Sequence, residues 1–325
     1  MDKIILSICI PTYNRKDELI KKIKELLQCN YTTFDIIVLD NCSSDGTYEA
    51  LKEINDERLK VFRNDFNIGG ILNPLKVITY GDGIYSILVL DKDYIDVKKI
   101  DEFINFISQN DNSHGYCQLN VDVGLENIIY NDLYEKIKNS AFLSKHPSGM
   151  FWKTEEYKNS FTLNNIFKNH EVFGFYFELI NAELCINSRL TACIYNNSLI
   201  YTENVEVSVA NKTQTYNKNN LFFNPIKRKD EYIKYINHVN SLIDQNKYLI
   251  KVHRLLIRRF LASLVSSNRL RNDIYHLKHY GITKKDIPLK LFVLAFFVFW
   301  NWYFSKSNNI PVFLKFFVFC TLIIK

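Results

Sequence analysis

Short apolar runs alternate with helically spaced apolar residues through the first hundred positions of the chain. Four runs predict β-strands, at residues 4–10, 34–39, 59–62 and 84–90. Between them, apolar residues recur every three or four positions and predict helices over about 17–29, 45–54 and 73–80. Pro11 is expected to stop the first strand. The alternation predicts an α/β fold with a mostly parallel sheet that helices cover on both faces.

Each predicted strand is followed by a group of polar residues. The four groups are Pro11-Thr12-Tyr13-Asn14, Asp40-Asn41, Arg63-Asn64 and Asp91-Lys92-Asp93. Ligands of open α/β sheets bind beyond the carboxyl ends of the strands. We therefore expect the four groups to converge on one binding site.

Asp91 and Asp93 are the candidate metal ligands within these groups. If the fourth strand stays extended to this point, both carboxylates face one side and Lys92 faces the other. Two such carboxylates suit Mg²⁺ or Mn²⁺, with phosphate oxygens of a substrate completing the shell. A dinucleotide or P-loop site is not indicated, because the sequence has neither G-x-G-x-x-G after the first strand nor a GK[ST] motif.

Composition predicts a folded protein from a reducing compartment. Of the 325 residues, 47% are hydrophobic and 23% charged, which is enough apolar surface for a sizeable core. The seven cysteines are scattered and form no close pair, so neither a disulfide framework nor structural zinc is expected. The first apolar run is too short for a secretory signal, so we expect none.

The C-terminal part has a different character. Residues 227–290 contain 15 Lys and Arg against 5 Asp and Glu, and two apolar segments follow, each of 14 residues, at 291–304 and 311–324. Both are shorter than the roughly 20 residues of a spanning helix. They predict an interfacial anchor or a re-entrant hairpin at an anionic membrane, with two core helices as the alternative. Nucleic-acid binding is not expected, because no binding motif is found.

Four segments together resemble a known family: SICIPTYNRKDEL, IIVLDNCSSDGT, FRNDFNIGG and ILVLDKDYID. Their order and spacing are similar to the nucleotide-sugar-binding half of family-2 glycosyltransferases with the GT-A fold. The resemblance covers residues 4–96 and continues more weakly to about 205. It implies a catalytic domain over 1–225, with a donor half at 1–96 and an acceptor half at 97–225. The basic charge and the two apolar segments of the C-terminal part predict that a helical membrane-associating region follows at 226–325.

The resemblance also implies a role for each matching residue. The first-strand turn contacts the nucleoside, the residues after the second strand support base and ribose, and an N-x-G turn lies beside the donor. The Asp-x-Asp pair binds ribose, diphosphate and a Mn²⁺ or Mg²⁺ ion. These residues are Pro11, Thr12, Tyr13, Asp40, Asn41, Asn67, Gly69, Asp91 and Asp93. Asn41 and Tyr94 stand where members of the family carry further acids.

The implied reaction is inverting transfer of a sugar from a nucleoside-diphosphate sugar, with UDP expected, to a hydroxyl of a lipid-linked saccharide in bacterial surface-polysaccharide synthesis. The general base is expected near the start of a later helix, at Glu171, with Glu178 and then Glu183 as alternatives. An equally simple interpretation of Glu171 is a carboxylate that favours a helix N-terminus.

Three further expectations concern the acceptor half. Ser148-Gly149 resembles the turn that lines the acceptor site, and Trp152 is either a sugar platform or a core residue. His146 and His170 are interpreted as structural or loop histidines. No pattern predicts a nucleophile–histidine pair, so a hydrolase is not indicated.

The expected location is the cytoplasmic face of the bacterial plasma membrane. Two alternatives to the enzyme remain. The first is a nucleotide-sugar-binding or scaffold protein that has lost catalysis, in keeping with Asn41 and Tyr94. The second is a nucleotidylyltransferase, which would need a glycine-rich basic loop after the first strand, where this chain offers Arg15 and Lys16 but no glycine.

Overall fold

The chain divides into two compact units, one formed by residues 1–172 and 176–204 and the other by 173–175 and 205–325. The structure is a computed structural model. It describes residues 3–29, 32–121, 125–141, 146–169, 176–187, 190–197, 199–202, 221, 223–242, 246–305, 310, 312 and 315. The predicted domain boundary at residue 225 stays a prediction.

Ten strands are described in the first unit. In chain order they are β1 Leu6–Thr12, β2 Phe34–Asp40, β3 Leu59–Arg63, β4 Tyr85–Leu88, β5 Tyr94–Ile95, β6 Ser113–Cys117, β7 Ile128–Tyr130, β8 Met150–Lys153, β9 Thr191–Tyr195 and β10 Ile200–Tyr201. Eight of them form one sheet in the order β3-β2-β1-β4-β8-β6-β9-β7, while β5 and β10 pair separately. Strands β1 to β4 are mutually parallel, and β8 runs antiparallel to both β4 and β6.

Helices accompany the sheet in the described part of this unit. They are α1 Lys16–Leu27, α2 Thr47–Lys52, α3 Leu72–Ile78, a 3-10 helix Val97–Lys99, α4 Ile100–Gln109, α5 Leu133–Lys136, a π-helix Ile137–Ala141, α6 Thr154–Lys158, α7 Phe161–Asn169 and α8 Tyr176–Asn187. Every residue of β1 and β2 is buried, as expected for parallel strands covered on both faces. The predicted α/β fold is confirmed.

Two strand ends differ from the prediction. Pro11 does not stop β1 but lies inside it, opposite Leu39 of β2. The Cys9 carbonyl accepts from the N–H of Val89 on the β4 side, and the β1–β4 pairing ends at Cys9 and Leu88. The missing N–H of Pro11 therefore lies just beyond this pairing. Strand β4 ends at Leu88 rather than at residue 90.

The described part of the second unit is helical. Its helices are α9 Pro225–Leu242, α10 Asn246–Asn272, α11 Ile274–His279 and α12 Lys290–Phe304. Helix α10 buries Val252, Leu256 and Phe260 at a four-residue spacing, and the Phe260 ring stacks on Phe299 of α12 with centroids 4.0 Å apart. These three residues form a buried apolar face of α10, whereas Val265 is exposed.

Helix α12 corresponds to the first predicted apolar segment. It buries Ala295, Phe299 and Tyr303, which lie on one face, and it exposes large apolar side chains on the rest of its surface. Val293, Leu294 and Phe297 are each more than half exposed. Among the described residues, none of the helices has both the length and the apolar character needed to cross a membrane. The second apolar segment, 311–324, lies almost wholly outside the described residues.

Candidate functional site

The polar ends of the first three strands lie in one row. Thr12 of β1 stands opposite Asp40 of β2, and Asp40 stands opposite Arg63 of β3. The fourth group joins this row, because the Thr12 hydroxyl donates to Asp91 Oδ2 over 3.1 Å. The predicted convergence of the four groups at one edge of the sheet is confirmed. Tyr13, which follows β1, is 40% exposed at this edge.

Asp40 is a fully buried carboxylate at the end of β2. Its Oδ2 accepts from the backbone N–H of Ser43 over 3.0 Å and lies 3.4 Å from Nε of Arg63. Its Oδ1 has no hydrogen-bond partner among the described residues. A buried carboxylate oxygen left in this way is an acceptor that suits a hydroxyl or N–H donor of a ligand.

Asn41 connects β2 to the N-x-G turn. Its Oδ1 accepts from Ile68 N over 2.9 Å and from Asn64 Nδ2 over 3.1 Å, while its Nδ2 donates to Asn67 Oδ1 over 2.8 Å. Asn67 Oδ1 also accepts from Gly69 N over 2.8 Å. Because a backbone N–H can only donate, these contacts fix which atom of each amide is the oxygen. Asn41 thus organises the loop, and its predicted role toward the donor stays a prediction.

The same network continues beneath the loop. Lys76 Nζ donates to Asn64 Oδ1 over 2.8 Å, so Asn64 presents its Nδ2 to Asn41 and to Asn73 Oδ1. Asn73 Nδ2 in turn donates to the carbonyl of Leu39 over 3.1 Å. Asn64 and Asn73 are buried, and each of these contacts pairs a hydrogen-bond donor with an acceptor. The network therefore holds the 64–73 segment rigidly against the end of β2.

Asp91 is held on the β1 side of the site. Its carboxylate accepts from Thr12 and lies 3.6 Å from Nε of Arg15, while its backbone carbonyl accepts from Lys22 Nζ. Burial raises the pKa of Asp91, and the charges of Arg15 and Lys22 act in the opposite direction. The side chain is still 17% exposed, so part of it faces the space beyond the strands.

The Asp-x-Asp segment is a turn rather than the end of a strand. Asp93 N donates to the Leu90 carbonyl over 2.9 Å, which closes a turn through Asp91 and Lys92. The expectation that extended geometry turns both carboxylates to one side is therefore wrong. Asp91 faces β1, whereas Asp93 faces the residues that precede β8.

Asp93 is fully buried and is held by residues far along the chain. Ser148 Oγ donates to Asp93 Oδ2 and accepts from Leu90 N over 2.9 Å. Nδ1 of His146 lies 3.5 Å from the same Oδ2 and accepts from Ser148 N over 3.3 Å. Burial lowers the pKa of His146, and the charge of Asp93 opposes this effect. The sequence interpretation of His146 as a structural or loop residue missed its contact with Asp93.

Gly149 sets the position of Ser148. Its φ of +88° lies in the left-handed region, and a Cβ atom would meet the Cys117 carbonyl at 3.0 Å. Gly149 N donates to Leu88 O, and Gly149 O accepts from Cys117 N, each over 2.8 Å. These two bonds fix Ser148 beside the end of β4. The predicted acceptor-lining role of Ser148 stays a prediction beside this observed contact.

The Asp93 carboxylate fits a hard divalent cation. Its Oδ1 is buried and has no hydrogen-bond partner among the described residues. In that same part of the chain, no three His, Cys, Asp or Glu side chains are grouped so that they could hold a metal ion. Mg²⁺ is commonly bound by one or two carboxylates with substrate phosphates and water. Asp93 is the stronger candidate ligand, because both carboxylate oxygens of Asp91 already face Thr12 or Arg15.

Two of the three candidate bases, Glu178 and Glu183, lie among the described residues. Glu171 lies outside the described residues. Glu178 lies in the first turn of α8 and is buried. Glu183 accepts from the Ser160 hydroxyl and from two backbone N–H groups at the start of α7, each over 2.8 Å, so its carboxylate caps that helix. The assignment of the base to Glu171 or Glu178 stays a prediction.

Trp152 is a core residue and not a sugar platform. It is fully buried in β8, its Nε1 donates to Asn181 Oδ1 over 2.7 Å, and its ring stacks on Phe177 with centroids 5.5 Å apart. The core interpretation is confirmed.

One buried cluster resembles a nucleophile–histidine pair that the sequence did not predict. His114 Nε2 lies 3.3 Å from Ser140 Oγ and 3.5 Å from Cys185 Sγ. Burial lowers the pKa of His114 to about 3 and raises the pKa of Cys185 to about 12. A histidine that stays neutral beside a thiol that stays protonated, both buried, is a packing cluster and not a reactive pair.

Comparison with known proteins identifies the family. The sequence model described as Glycosyl transferase family 2 matches residues 7–174, which is more than half of the chain. The chain therefore belongs to glycosyl transferase family 2.

Several curated proteins are similar to the chain. The putative colanic acid biosynthesis glycosyl transferase WcaA of Escherichia coli K12 is 25% identical over 167 residues, 50% of this chain and 56% of that protein. The UDP-Glc:alpha-D-GlcNAc-diphosphoundecaprenol beta-1,3-glucosyltransferase WfgD of Escherichia coli is 29% identical over 117 residues, 36% of this chain and 46% of that protein. The chain thus spans about half the length of these two relatives.

A solved structure shares the fold. The crystal structure of S. aureus TarS residues 1–349 in complex with UDP-GlcNAc aligns with a TM-score of 0.58 and 14% identity, covering 89% of this chain and 83% of that chain. The predicted GT-A fold is confirmed.

The amide network predicts that substitutions at the two ends of the Asn41–Asn67 hydrogen bond differ in their effect on stability. We expect Asn41→Asp to lower the free energy of unfolding by about 1–3 kcal/mol, because the buried donor to Asn67 is lost beside the charge of Asp40. Asn67→Asp makes the same chemical change but keeps an oxygen acceptor at an exposed position, so its effect should stay within about 0.5 kcal/mol. Urea unfolding of both variants measures the difference. Equal losses would contradict the described polarity of the network.

Proposed function

We propose that the protein is an inverting glycosyltransferase that uses a nucleoside-diphosphate sugar, with UDP as the expected nucleotide. The observation that carries this proposal is the buried Asp93 carboxylate, one oxygen of which has no hydrogen-bond partner in the described part of the chain, at the strand ends that also hold Asp40 and Asp91. Family membership supports it, and so do the UDP-Glc in the name of WfgD and the UDP-GlcNAc bound to TarS.

The donor-side residues divide into two groups in this proposal. Asp40, whose buried Oδ1 lacks a hydrogen-bond partner among the residues that the structure describes, accepts a hydrogen bond from the base or ribose. Arg15 and Arg63 lie 3.6 and 3.4 Å from Asp91 and Asp40, so positive charge flanks the acids where an anionic diphosphate would lie. Asp93, and Asp91 to a lesser extent, would hold a Mn²⁺ or Mg²⁺ ion. When bound, such an ion stabilises the negative charge of the departing diphosphate.

The acceptor side completes the reaction. An acceptor hydroxyl oxygen forms a bond to the anomeric carbon, and the bond from that carbon to the diphosphate oxygen breaks with its electron pair. The hydroxyl proton passes to a carboxylate, for which Glu171 and Glu178 are the candidates. Attack from the face opposite the leaving group inverts the anomeric centre, and much of the rate enhancement comes from holding both substrates in line.

The acceptor is proposed to be a lipid-linked saccharide. The name of WfgD contains a diphosphoundecaprenol-linked sugar, and WcaA is named for colanic acid biosynthesis, which supports a place in bacterial surface-polysaccharide synthesis. Two alternatives stay open to test. A non-catalytic nucleotide-sugar-binding protein would bind the donor without turning it over, and a nucleotidylyltransferase is disfavoured by the loop after β1, which has no glycine.

Asp93 is the residue whose substitution tests the proposed chemistry. We expect Asp93→Asn to lower donor turnover with Mn²⁺ by about 100-fold or more, because the charge that holds the ion is lost while an oxygen remains for the Ser148 hydroxyl. The fold should persist, and Asp17→Asn, at an exposed acid of α1, should retain wild-type turnover. Turnover of UDP-, GDP- and dTDP-sugars with Mn²⁺ or EDTA measures the effect.

Two results would contradict the proposal in different ways. Wild-type turnover by Asp93→Asn would show that the reaction does not need the Asp93 carboxylate. Donor binding by the wild type without any turnover, across acceptors extracted from membranes, would favour the non-catalytic alternative.

We further propose that the second unit associates peripherally with the cytoplasmic face of the bacterial plasma membrane. Support comes from α12, where Val293 and Phe297 are one helical turn apart and more than half exposed. Lys284, Lys285 and Lys290 are exposed just before this face. Apolar side chains next to exposed lysines suit an anionic bilayer surface.

Vesicle flotation of the full chain tests this membrane proposal. We expect binding to phosphatidylglycerol-containing vesicles and weaker binding to pure phosphatidylcholine. The double substitution Val293→Ser and Phe297→Ser should weaken binding about tenfold or more, because apolar area that would enter the interface is removed. Val265→Ser, at an exposed position of α10, is the matched control. Unchanged flotation of the double variant would place the contact elsewhere.

A further inference from the structure

Lys22 is a buried lysine on the inner face of α1. Its neighbours on this face are Leu19, Ile23 and Leu26, and all four side chains are buried. Lysine is rarely buried without a partner for its charge, because removing an ammonium group from water is costly. The contacts of its ammonium group therefore indicate why a lysine stands here.

The ammonium group spans the turn that carries the two site carboxylates. Lys22 Nζ donates to the backbone carbonyl of Asp91, 69 residues away in sequence. It also lies 4.6 Å from the centroid of the Tyr94 ring, within the range of a cation–π contact. The contact thus joins the main chain at the start of the turn to a side chain just after it.

Tyr94 is itself fixed at the far end of this segment. It pairs with Tyr201 in the small β5–β10 sheet, and its neighbour Ile95 is buried against the main core. Tyr94 also stands where members of the family carry a further acid, and here it supplies an aromatic face to a cation instead. Lys22 and Tyr94 act as a pair across the turn.

The turn is therefore held from two sides. On one side, Ser148 contacts Leu90 N and the Asp93 carboxylate. On the other side, Lys22 contacts the Asp91 carbonyl, which the Ser148 contacts leave unrestrained. The two contacts together restrain both ends of the segment between β4 and β5.

We propose that Lys22 is a positioning residue of the donor site, which fixes the Asp91–Asp93 turn through the Asp91 carbonyl and the Tyr94 ring in the geometry that receives a nucleoside diphosphate. This inference rests on the proposed function. Lys22 does not react. It limits the conformational freedom of the turn in the ligand-free protein, so that less conformational entropy is lost when the ligand binds.

Three single substitutions test the role of Lys22 with matched controls. Lys22→Met keeps the length and apolar character of the stem but removes the charge. Lys22→Arg keeps the charge and can stack on the Tyr94 ring. Lys21→Met makes the same chemical change at the adjacent exposed lysine of the same helix.

Hydrogen exchange of the ligand-free protein measures the restraint itself. We expect amides within residues 89–96 to exchange at least about tenfold faster in Lys22→Met, because a charged hydrogen bond and a cation–π contact are both lost. Amides of β1 and β2 should exchange as in the wild type. Lys22→Arg should restore most of the protection, and Lys21→Met should leave it unchanged.

Calorimetric titration with UDP, GDP and dTDP in the presence of Mn²⁺ measures the consequence for binding. We expect Lys22→Met to weaken the binding of the preferred nucleotide about tenfold, and Lys22→Arg to recover it to within about threefold. Lys21→Met should bind as the wild type does.

The outcomes separate this inference from the proposed function. If the folded wild type binds none of the three nucleotides, the proposed function is wrong and the inference fails with it. If the wild type binds and Lys22→Met shows wild-type exchange or wild-type affinity, the inference alone is overturned. If Lys22→Met accelerates exchange throughout the first unit and Lys22→Arg restores nothing, Lys22 supports the whole fold and not the turn.

Discussion

The hydrogen bond between Ser148 and the buried carboxylate of Asp93 is the contact on which the site depends. A carboxylate withdrawn from water costs several kcal/mol unless neighbouring groups compensate it, so its partners must be placed accurately. Here the partner precedes β8, and Gly149 places it through backbone bonds to β4 and β6. Because β8 is antiparallel to both strands, its first residues lie beside the ends of β4 and β6. Ser148, which precedes β8, can therefore fix the position of Asp93, which follows β4.

The two aspartates of the turn have different surroundings and therefore different uses. Asp91 faces Thr12 and the cationic Arg15, which ties the ends of β1 and β4 together. Asp93 faces Ser148 and His146 and retains one buried oxygen without a partner among the described residues. The departures from the family pattern also gain a physical meaning. At position 41 an amide both accepts and donates, as its network requires, and at position 94 an aromatic ring receives the ammonium group of Lys22.

Local patterns predicted the first half of the fold well, because buried parallel strands and amphipathic helices each have a pattern of apolar residues that is recognisable within a short stretch of sequence. The row formed by Thr12, Asp40 and Arg63 followed from the same patterns, although β1 continues past Pro11 and β4 ends at Leu88. The turn at Asp91 was missed, since an apolar run does not reveal where pairing stops. Ser148 and Lys22 were missed as partners of the turn because they contact it across 55 and 69 residues, and no local spacing encodes such contacts.

The central claim is that Asp93 holds a divalent cation that in turn contacts the diphosphate of the donor. The most direct measurement is a crystal structure of the wild-type protein grown with UDP and Mn²⁺, with diffraction recorded at the manganese absorption edge. The account predicts an anomalous peak at coordinating distance from Asp93 Oδ1 and from both phosphates of UDP. A bound nucleotide with no such peak, or a peak that contacts neither Asp93 nor the diphosphate, would contradict it.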